Sequence, residues 1–175
     1  MAAPAAMDEN GLRKHPMSIL TLTDAQIEDL LRTPKRVQNP GSREREEGKH
    51  VRRDFRVQSE DGRHEFVLFT RQSTVIPDGF SAGLRWRSKT GEEVILIRCN
   101  GADHSHVNAL EREQFEAQFH VHKATEKYIL AGKRSEGKAV PVDTYRTLAG
   151  ALHEVLTLAN ISGLTSQADE ADLFD

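Results

Sequence analysis

Four of the eight histidines lie within nineteen residues, and they are the side chains of this sequence best suited to chemistry. They form two His-x-His pairs, His104 with His106 and His120 with His122. Residues i and i+2 of a β-strand point to the same side of a sheet, so each pair can direct both imidazoles at one target. If the two segments are neighbours in the fold, three or four of these rings share a pocket.

A histidine cluster of this kind has two uses in catalysis. In a metal-free phosphodiesterase of the ribonuclease type, one imidazole deprotonates a ribose 2′-hydroxyl and another protonates the leaving oxygen. Arg98 is then a candidate to stabilise the charge on the phosphorane, and the hydroxyls of Thr125 and Tyr128 are candidates to assist. In a metal-dependent hydrolase, three neutral imidazoles drawn from the same four histidines bind Zn²⁺ or another divalent transition metal and leave one position open for water. The first mechanism needs no cofactor, whereas the second needs the metal.

The charges of the chain are unevenly distributed. The formal net charge is -3, but the acidic residues of 165–175 alone contribute -4. Residues 32–56 carry nine basic and four acidic side chains, a net charge of +5. Such a block is typical of a surface that faces phosphate groups, although a solvated loop has the same composition. The candidate nucleic-acid contacts in this block and on a later strand are Lys35, Arg36, Arg43, Arg45, Arg52, Arg53, Arg85 and Arg87.

Length and composition exclude several classes of protein. The 175 residues suffice for one domain, and no stretch approaches the roughly 20 apolar residues that span a bilayer. Cys99 is the single cysteine, which excludes an internal disulfide and fits a reducing cytoplasm. We therefore expect a cytoplasmic protein without a membrane segment.

The elements that must position the histidines are mostly strands. We predict a single α+β domain over residues 18–164, with an antiparallel sheet of about five strands covered by N- and C-terminal helices. Residues 1–17 are predicted to be a disordered arm and residues 165–175 a disordered acidic tail. Within the domain, residues 34–50 are expected to form a loop because they contain Pro and Gly and have no apolar face.

Local signals set the expected helix and strand positions. A capping box at Thr23 predicts a helix from Asp24 to Arg32, and an apolar stripe predicts the last helix from Thr144 to Ala159. Alternation over Gln118 to Lys123 predicts a strand whose two histidines share one face.

The two histidine segments also resemble a family. Residues 98–108 and 119–128 match the pattern N-G-x-x-H-x-H-x-N … F-H-x-H-x-A-T-E-x-Y of a family of small uncharacterised bacterial proteins. The resemblance extends over about residues 53–160 and implies a bacterial, cytoplasmic origin. That family has no established activity, so the resemblance transfers no reaction; a link to toxin–antitoxin or phage-defence loci rests on analogy alone.

Three functions are open at this level. The leading prediction is a small nucleic-acid-directed phosphodiesterase that uses the histidine cluster for acid–base catalysis without a cofactor. The second is a metal-dependent hydrolase with the same histidines as ligands. The third is a non-enzymatic module whose strand face binds RNA, another phosphate-bearing ligand or a protein partner.

Overall fold

A computed structural model of the protein describes residues 20–164. The predicted arm at 1–17 and tail at 165–175 lie outside the described residues. The helices are α1 (Asp24–Arg32), α2 (Glu126–Leu130) and α3 (Leu148–Leu158). The strands are β1 (Lys35–Val37), β2 (Arg45–Glu47), β3 (His50–Ser59), β4 (Glu65–Ser73), β5 (Phe80–Arg87), β6 (Glu93–Asn100), β7 (His106–Asn108), β8 (Glu113–Phe115), β9 (His120–Lys123), β10 (Lys138–Pro141) and β11 (Ile161–Ser162). In this part of the chain no helix is long and apolar enough to cross a membrane.

The α+β class and the antiparallel sheet are confirmed, but the sheet is larger than predicted. It has nine strands in the order β10-β9-β6-β5-β4-β3-β1-β11, with β2 also paired to β3. The pair β1·β11 is parallel and the other pairs of the sheet are antiparallel. The prediction of about five strands was wrong because strands of two to four residues show too little alternation to be recognised. Two of them, β1 and β2, lie in the segment 34–50 that was expected to be a loop.

The two faces of the sheet have different chemistry. One face packs against α3 and the apolar side of α1 in a continuous hydrophobic core. Leu84 of β5 and Leu68 of β4 are fully buried there. The opposite face, called the open face below, carries the arginines Arg85 and Arg98 and the histidines of β9. The alternation of Leu84 with Arg85 follows from the period of two residues in a strand.

The first residues of α1 and α3 can be compared with the helix starts that the sequence predicted. Helix α1 begins at Asp24, and its capping box is complete because Thr23 and Gln26 exchange side-chain to backbone hydrogen bonds. Helix α3 begins four residues later than predicted, with Thr147 as its N-cap. The apolar Tyr145 that suggested the earlier start lies in the core instead, where its hydroxyl donates to the carbonyls of Asn100 and His120.

Candidate functional site

Three histidines converge at the end of the open face. His120 and His122 extend from β9 on the same side of the sheet, opposite Asn100 and Arg98 of β6. His106 comes from β7, which forms a separate two-stranded hairpin with β8. One ring nitrogen from each histidine lies within 4.8 Å of the others. The ring centroids are 4.7 Å apart for His106 and His122, 4.9 Å for His120 and His122, and 5.6 Å for His106 and His120.

Backbone carbonyls fix which nitrogen of each ring is protonated. The Nδ1 of His120 donates to the carbonyl of Gln118 at 2.6 Å, and the Nδ1 of His122 donates to that of Glu136 at 2.8 Å. The Nε2 of His106 donates to the carbonyl of Gly137 at 3.2 Å. A carbonyl only accepts, so the nitrogen that contacts it must carry the proton, and the neutral ring keeps a lone pair on its other nitrogen. The lone pairs are therefore on Nε2 of His120, Nε2 of His122 and Nδ1 of His106.

Burial keeps two of these rings neutral. His120 and His122 are almost fully buried, which lowers the pKa of both imidazoles, that of His122 to about 3. The charge of Arg98 adds to the effect of burial on the pKa of His122. The Nε2 of His122 is buried and has no hydrogen-bond partner among residues 20–164. A neutral ring with an unused buried lone pair is the state in which histidine binds a metal.

The burial of His122 predicts a pH-dependent stability of the metal-free protein. The pKa is about 3 in the folded state and 6.5 for an ordinary imidazole, so between these values the unfolded chain binds more protons. The stabilisation is therefore complete above pH 6.5 and is lost as the pH falls toward 3. In urea titrations with a chelator present, we expect the free energy of unfolding to fall by about 1.4 kcal/mol per pH unit below pH 6.

Two variants control this measurement. His122→Leu removes one of the two imidazoles whose pKa burial lowers, so it should reduce the slope and leave the part that His120 contributes. His153→Ala removes an exposed imidazole of α3 and should leave the slope as it is. An unchanged slope in His122→Leu would contradict the assignment.

Asn108 attaches the β7–β8 hairpin to the main sheet beside the histidines. Its side-chain amide pairs with the backbone of Ala139 in β10, accepting from the amide nitrogen at 2.8 Å and donating to the carbonyl at 2.9 Å. The same Oδ1 accepts from Nε2 of His106 at 3.1 Å. Asn108 therefore sets both the position of the hairpin and the tautomer of His106.

This arrangement predicts that Asn108→Ala weakens metal binding without removing a ligand. Hydrogen-bond partners of metal-bound histidines contribute about 10- to 100-fold in affinity, and we expect a loss of that size for Zn²⁺ in a competitive chelator titration. Gln114→Ala, on the exposed side of the same hairpin, is the matched control and should bind Zn²⁺ like the wild type. Equal affinities of the three proteins would show that Asn108 does not position His106.

The fourth predicted histidine lies beside the group of three. His104 sits in the turn before β7, about half exposed, with its ring centroid 5.7 Å from that of His120. Its Nδ1 is 2.5 Å from a carboxylate oxygen of Asp103. Arg98 is also at the site: it faces His122 across the β6–β9 pair, and its guanidinium lies 3.6 Å from the Glu136 carboxylate.

Thr125 and Tyr128 do not join the cluster. The Thr125 hydroxyl is the N-cap of α2, where it accepts from the backbone nitrogen of Tyr128. The Tyr128 hydroxyl donates to Glu111, and its ring is buried against Gly137, where an added Cβ would lie 2.3 Å from the ring. The Tyr128 ring thus packs beside the residue whose carbonyl contacts His106, and no hydrogen bond among residues 20–164 joins either hydroxyl to the three rings.

The basic segment does not form one continuous cationic surface. Lys35 is 1% exposed, and its ammonium donates to the carbonyls of Leu31, Thr33 and Ala159, so it cannot face a nucleic acid in this fold. The remaining predicted contacts divide into exposed and bonded side chains. Arg36 and Arg43 are exposed; Arg45 and Arg52 pair with Asp54; Arg53 donates to the carbonyls of Pro40 and Ser42; and Arg85 and Arg87 pair with Glu93.

Sequence reasoning missed the backbone groups that complete the site. The carbonyls of Gln118, Glu136 and Gly137 have no side-chain signature, so no motif could have identified them. Arg71 of β4 was also missed because it stands alone in an ordinary alternating strand. Its guanidinium contacts Nδ1 of His50 at 3.2 Å on the open face.

Comparison with known proteins gives a family but no characterised relative. No curated protein and no solved structure matches the chain. A family model covers residues 22–161, which include all four clustered histidines and all of the sheet except the last residue of β11. The expected membership of an uncharacterised family is therefore confirmed: the chain belongs to DUF6978, a family of unknown function.

Proposed function

We propose that this protein is a metal-dependent hydrolase whose divalent transition metal is bound by His106, His120 and His122. The observation that supports the proposal is the convergence of the three rings: one ring nitrogen from each lies within 4.8 Å of the others, and one nitrogen of each ring is held by a backbone carbonyl. Metal-binding histidines characteristically donate their other N–H to a carbonyl or carboxylate in this way.

The donor set suits zinc or a neighbouring first-row ion. Imidazole is a preferred ligand of Zn²⁺, Co²⁺, Ni²⁺ and Cu²⁺. Zinc–nitrogen bonds of about 2.1 Å in tetrahedral geometry place two ligand nitrogens about 3.4 Å apart. The separation of up to 4.8 Å therefore requires the rings to move inward by about an ångström on binding. Three protein ligands leave the fourth tetrahedral position for water, which is the composition of catalytic zinc sites.

The chain also provides a proton acceptor, His104, next to the metal position that would hold the water. A metal ion lowers the pKa of bound water to about 7, which makes hydroxide available at neutral pH. His104 keeps a free Nε2 when its Nδ1 donates to Asp103, and its ring adjoins that of His120. In the proposed role, His104 takes a proton from the water and later returns it to the leaving group. The Asp103 carboxylate orients the ring for both steps.

The metal-free phosphodiesterase stays a prediction with less support. It requires one histidine to be protonated near neutral pH so that it can donate to the leaving oxygen. The lowered pKa values of His120 and His122 make both rings poor proton donors at that pH. The third candidate, a non-enzymatic binding module, is distinguished from both hydrolytic mechanisms by an activity assay of the metal-free and metal-loaded protein.

The test compares metal-free and metal-loaded protein. The purified chain is stripped with a chelator, reloaded with Zn²⁺, Mn²⁺, Co²⁺ or Ni²⁺, and assayed with bis(p-nitrophenyl) phosphate and p-nitrophenyl acetate. We expect hydrolysis only after loading. His104→Ala should retain the metal but lower kcat by about 100-fold or more, and His64→Ala should behave like the wild type.

Two results would overturn the proposal. Full activity in the chelated protein would favour the metal-free mechanism. A loaded protein that hydrolyses neither substrate would favour a binding module.

A further inference from the structure

Two adjoining cavities open beside the histidines on the open face. The smaller, of about 170 Å³, lies next to Asp103 and His104, and the larger, of about 300 Å³, extends across β5 and β4. Both are lined by Arg71, Ser81 and Arg98, so they form one continuous depression, called the arginine groove below. The groove reaches His104 and Asn100, which both adjoin His120: the ring centroid of His104 lies 5.7 Å from that of His120, and Nδ2 of Asn100 lies 3.4 Å from Nε2 of His120. The three clustered histidines are not among the residues that line the groove, so it comes within one side chain of the proposed metal position.

The walls of the groove are rich in guanidinium groups. Arg52, Arg71, Arg85 and Arg98 line it, whereas its acidic lining residues are Glu47 and Asp103. Among residues 20–164, Arg71 is paired with no carboxylate, and its guanidinium contacts the His50 ring. The groove thus carries an excess of positive charge next to the histidine cluster.

Two of these arginines also have unused donors. The Nε atoms of Arg85 and Arg98 are buried and have no acceptor within the described chain. Arg85 reaches Glu93 through one terminal nitrogen at 2.7 Å, and Arg98 reaches Glu136 at 3.6 Å, so each pair leaves donors free. Unsatisfied buried donors are costly, and an anionic ligand would satisfy them.

The proposed metal adds to this positive field. All three ligands are neutral, so a divalent ion would keep its full double charge, and Arg98 lies opposite His122 in the neighbouring strand. A carboxylate offers two oxygens and one charge, which one arginine can satisfy. A phosphoryl group offers oxygens in several directions and matches the planar guanidinium fork, so it can engage two arginines and the metal together.

We propose that the arginine groove binds a phosphate ester, with its phosphoryl group between Arg71, Arg98 and the metal bound by the three histidines. This inference rests on the proposed function and names its substrate class. In the reaction, the metal-bound hydroxide oxygen forms a new bond to phosphorus and the ester P–O bond breaks. The leaving oxygen takes up the proton that the water lost, so no other reactant is needed. Nucleotides and single-stranded oligonucleotides both present this chemistry.

The experiment measures phosphate binding separately from metal binding. Metal stoichiometry is determined first for the wild type, Arg71→Gln, Arg98→Gln and the control Arg63→Gln, whose side chain is exposed on a turn away from the groove. Inorganic phosphate, a nucleoside 5′-monophosphate and a ten-nucleotide single-stranded RNA are then titrated into each loaded protein. We expect full metal content in all four proteins, with phosphate affinity lowered about 10- to 100-fold in Arg71→Gln and unchanged in Arg63→Gln.

The outcomes distinguish the proposed metal site from the proposed arginine groove, and a small nucleotide from an oligonucleotide as the ligand. Missing metal in the wild type would refute the metal site, whereas full metal with equal phosphate affinity in Arg71→Gln, Arg98→Gln and wild type would refute only the groove. Arg71 is exposed, so its variant tests the groove even if Arg98→Gln does not fold. Tighter binding of the monophosphate than of phosphate, without a further gain for RNA, would identify a small nucleotide. A further gain for the RNA with a steep salt dependence would identify an oligonucleotide.

Discussion

Replacing His122 with alanine is expected to abolish stoichiometric metal binding. The buried Nε2 of His122 has no hydrogen-bond partner among residues 20–164, and the ring of His122 lies against both other histidines. In His122→Ala, only His106 and His120 would remain as ligands of the ion. The loss should exceed the roughly 10- to 100-fold effect of removing a hydrogen-bond partner of a ligand. We expect about one equivalent of metal in the reloaded wild type and none in His122→Ala after desalting, measured by inductively coupled plasma mass spectrometry.

A thermal measurement gives an independent readout of the same change. A ligand that binds only the folded state stabilises it by about 4 kcal/mol at 1,000 times its Kd. For a chain of this size, that corresponds to a rise in Tm of about 8–16 °C. The rise should be present in the wild type and in His153→Ala, and absent in His122→Ala. Bound metal in His122→Ala at wild-type affinity would rule out the three-histidine site.

The second large effect is expected from Lys35→Met. The ammonium of Lys35 donates to the carbonyls of Leu31 and Thr33 at the end of α1 and to that of Ala159 at the end of α3. The last carbonyls of a helix have no partner within it, and a positive charge there also complements the helix dipole. Burial lowers the pKa of Lys35 to about 8, so the group is still charged at pH 7.

Methionine keeps the volume of the side chain but leaves the three carbonyls without this donor. We expect a loss of about 3–5 kcal/mol in the free energy of unfolding, a large share of the stability of an ordinary domain. Urea denaturation at pH 7 measures the change. Lys89→Met, on an exposed turn, is the matched control and should alter the stability by less than about 0.5 kcal/mol. Equal stabilities for the two variants would mean that the Lys35 contacts contribute little.

Lys35 also shows how far the sequence could be interpreted. Its neighbours in the chain are basic, so composition grouped it with a phosphate-facing surface. Its position is decided by Ala159, 124 residues away, through the packing of β1 beside the ends of two helices. No local pattern contains that information.

The features that the sequence determined are local ones. Gly62 and Gly91 adopt φ values of +72° and +92° in the turns between β3 and β4 and between β5 and β6, where an L-residue with a Cβ is disfavoured. Thr23 and Gln26 form the capping box that begins α1. Strand alternation placed His120 and His122 on one face, because side chains two residues apart point the same way.

The tertiary structure alone decided which histidines form the close group of three. His106 reaches the cluster because Asn108 pairs with Ala139, 31 residues away, whereas His104 remains in an exposed turn although its spacing is equivalent. The carbonyls that orient the three rings belong to backbone that β9 and the turn before β10 bring together. Periodicity and capping act over a few residues, so they are visible in the sequence. A shared ligand site depends on the path of the chain between distant segments, which is determined by the packing of the whole domain.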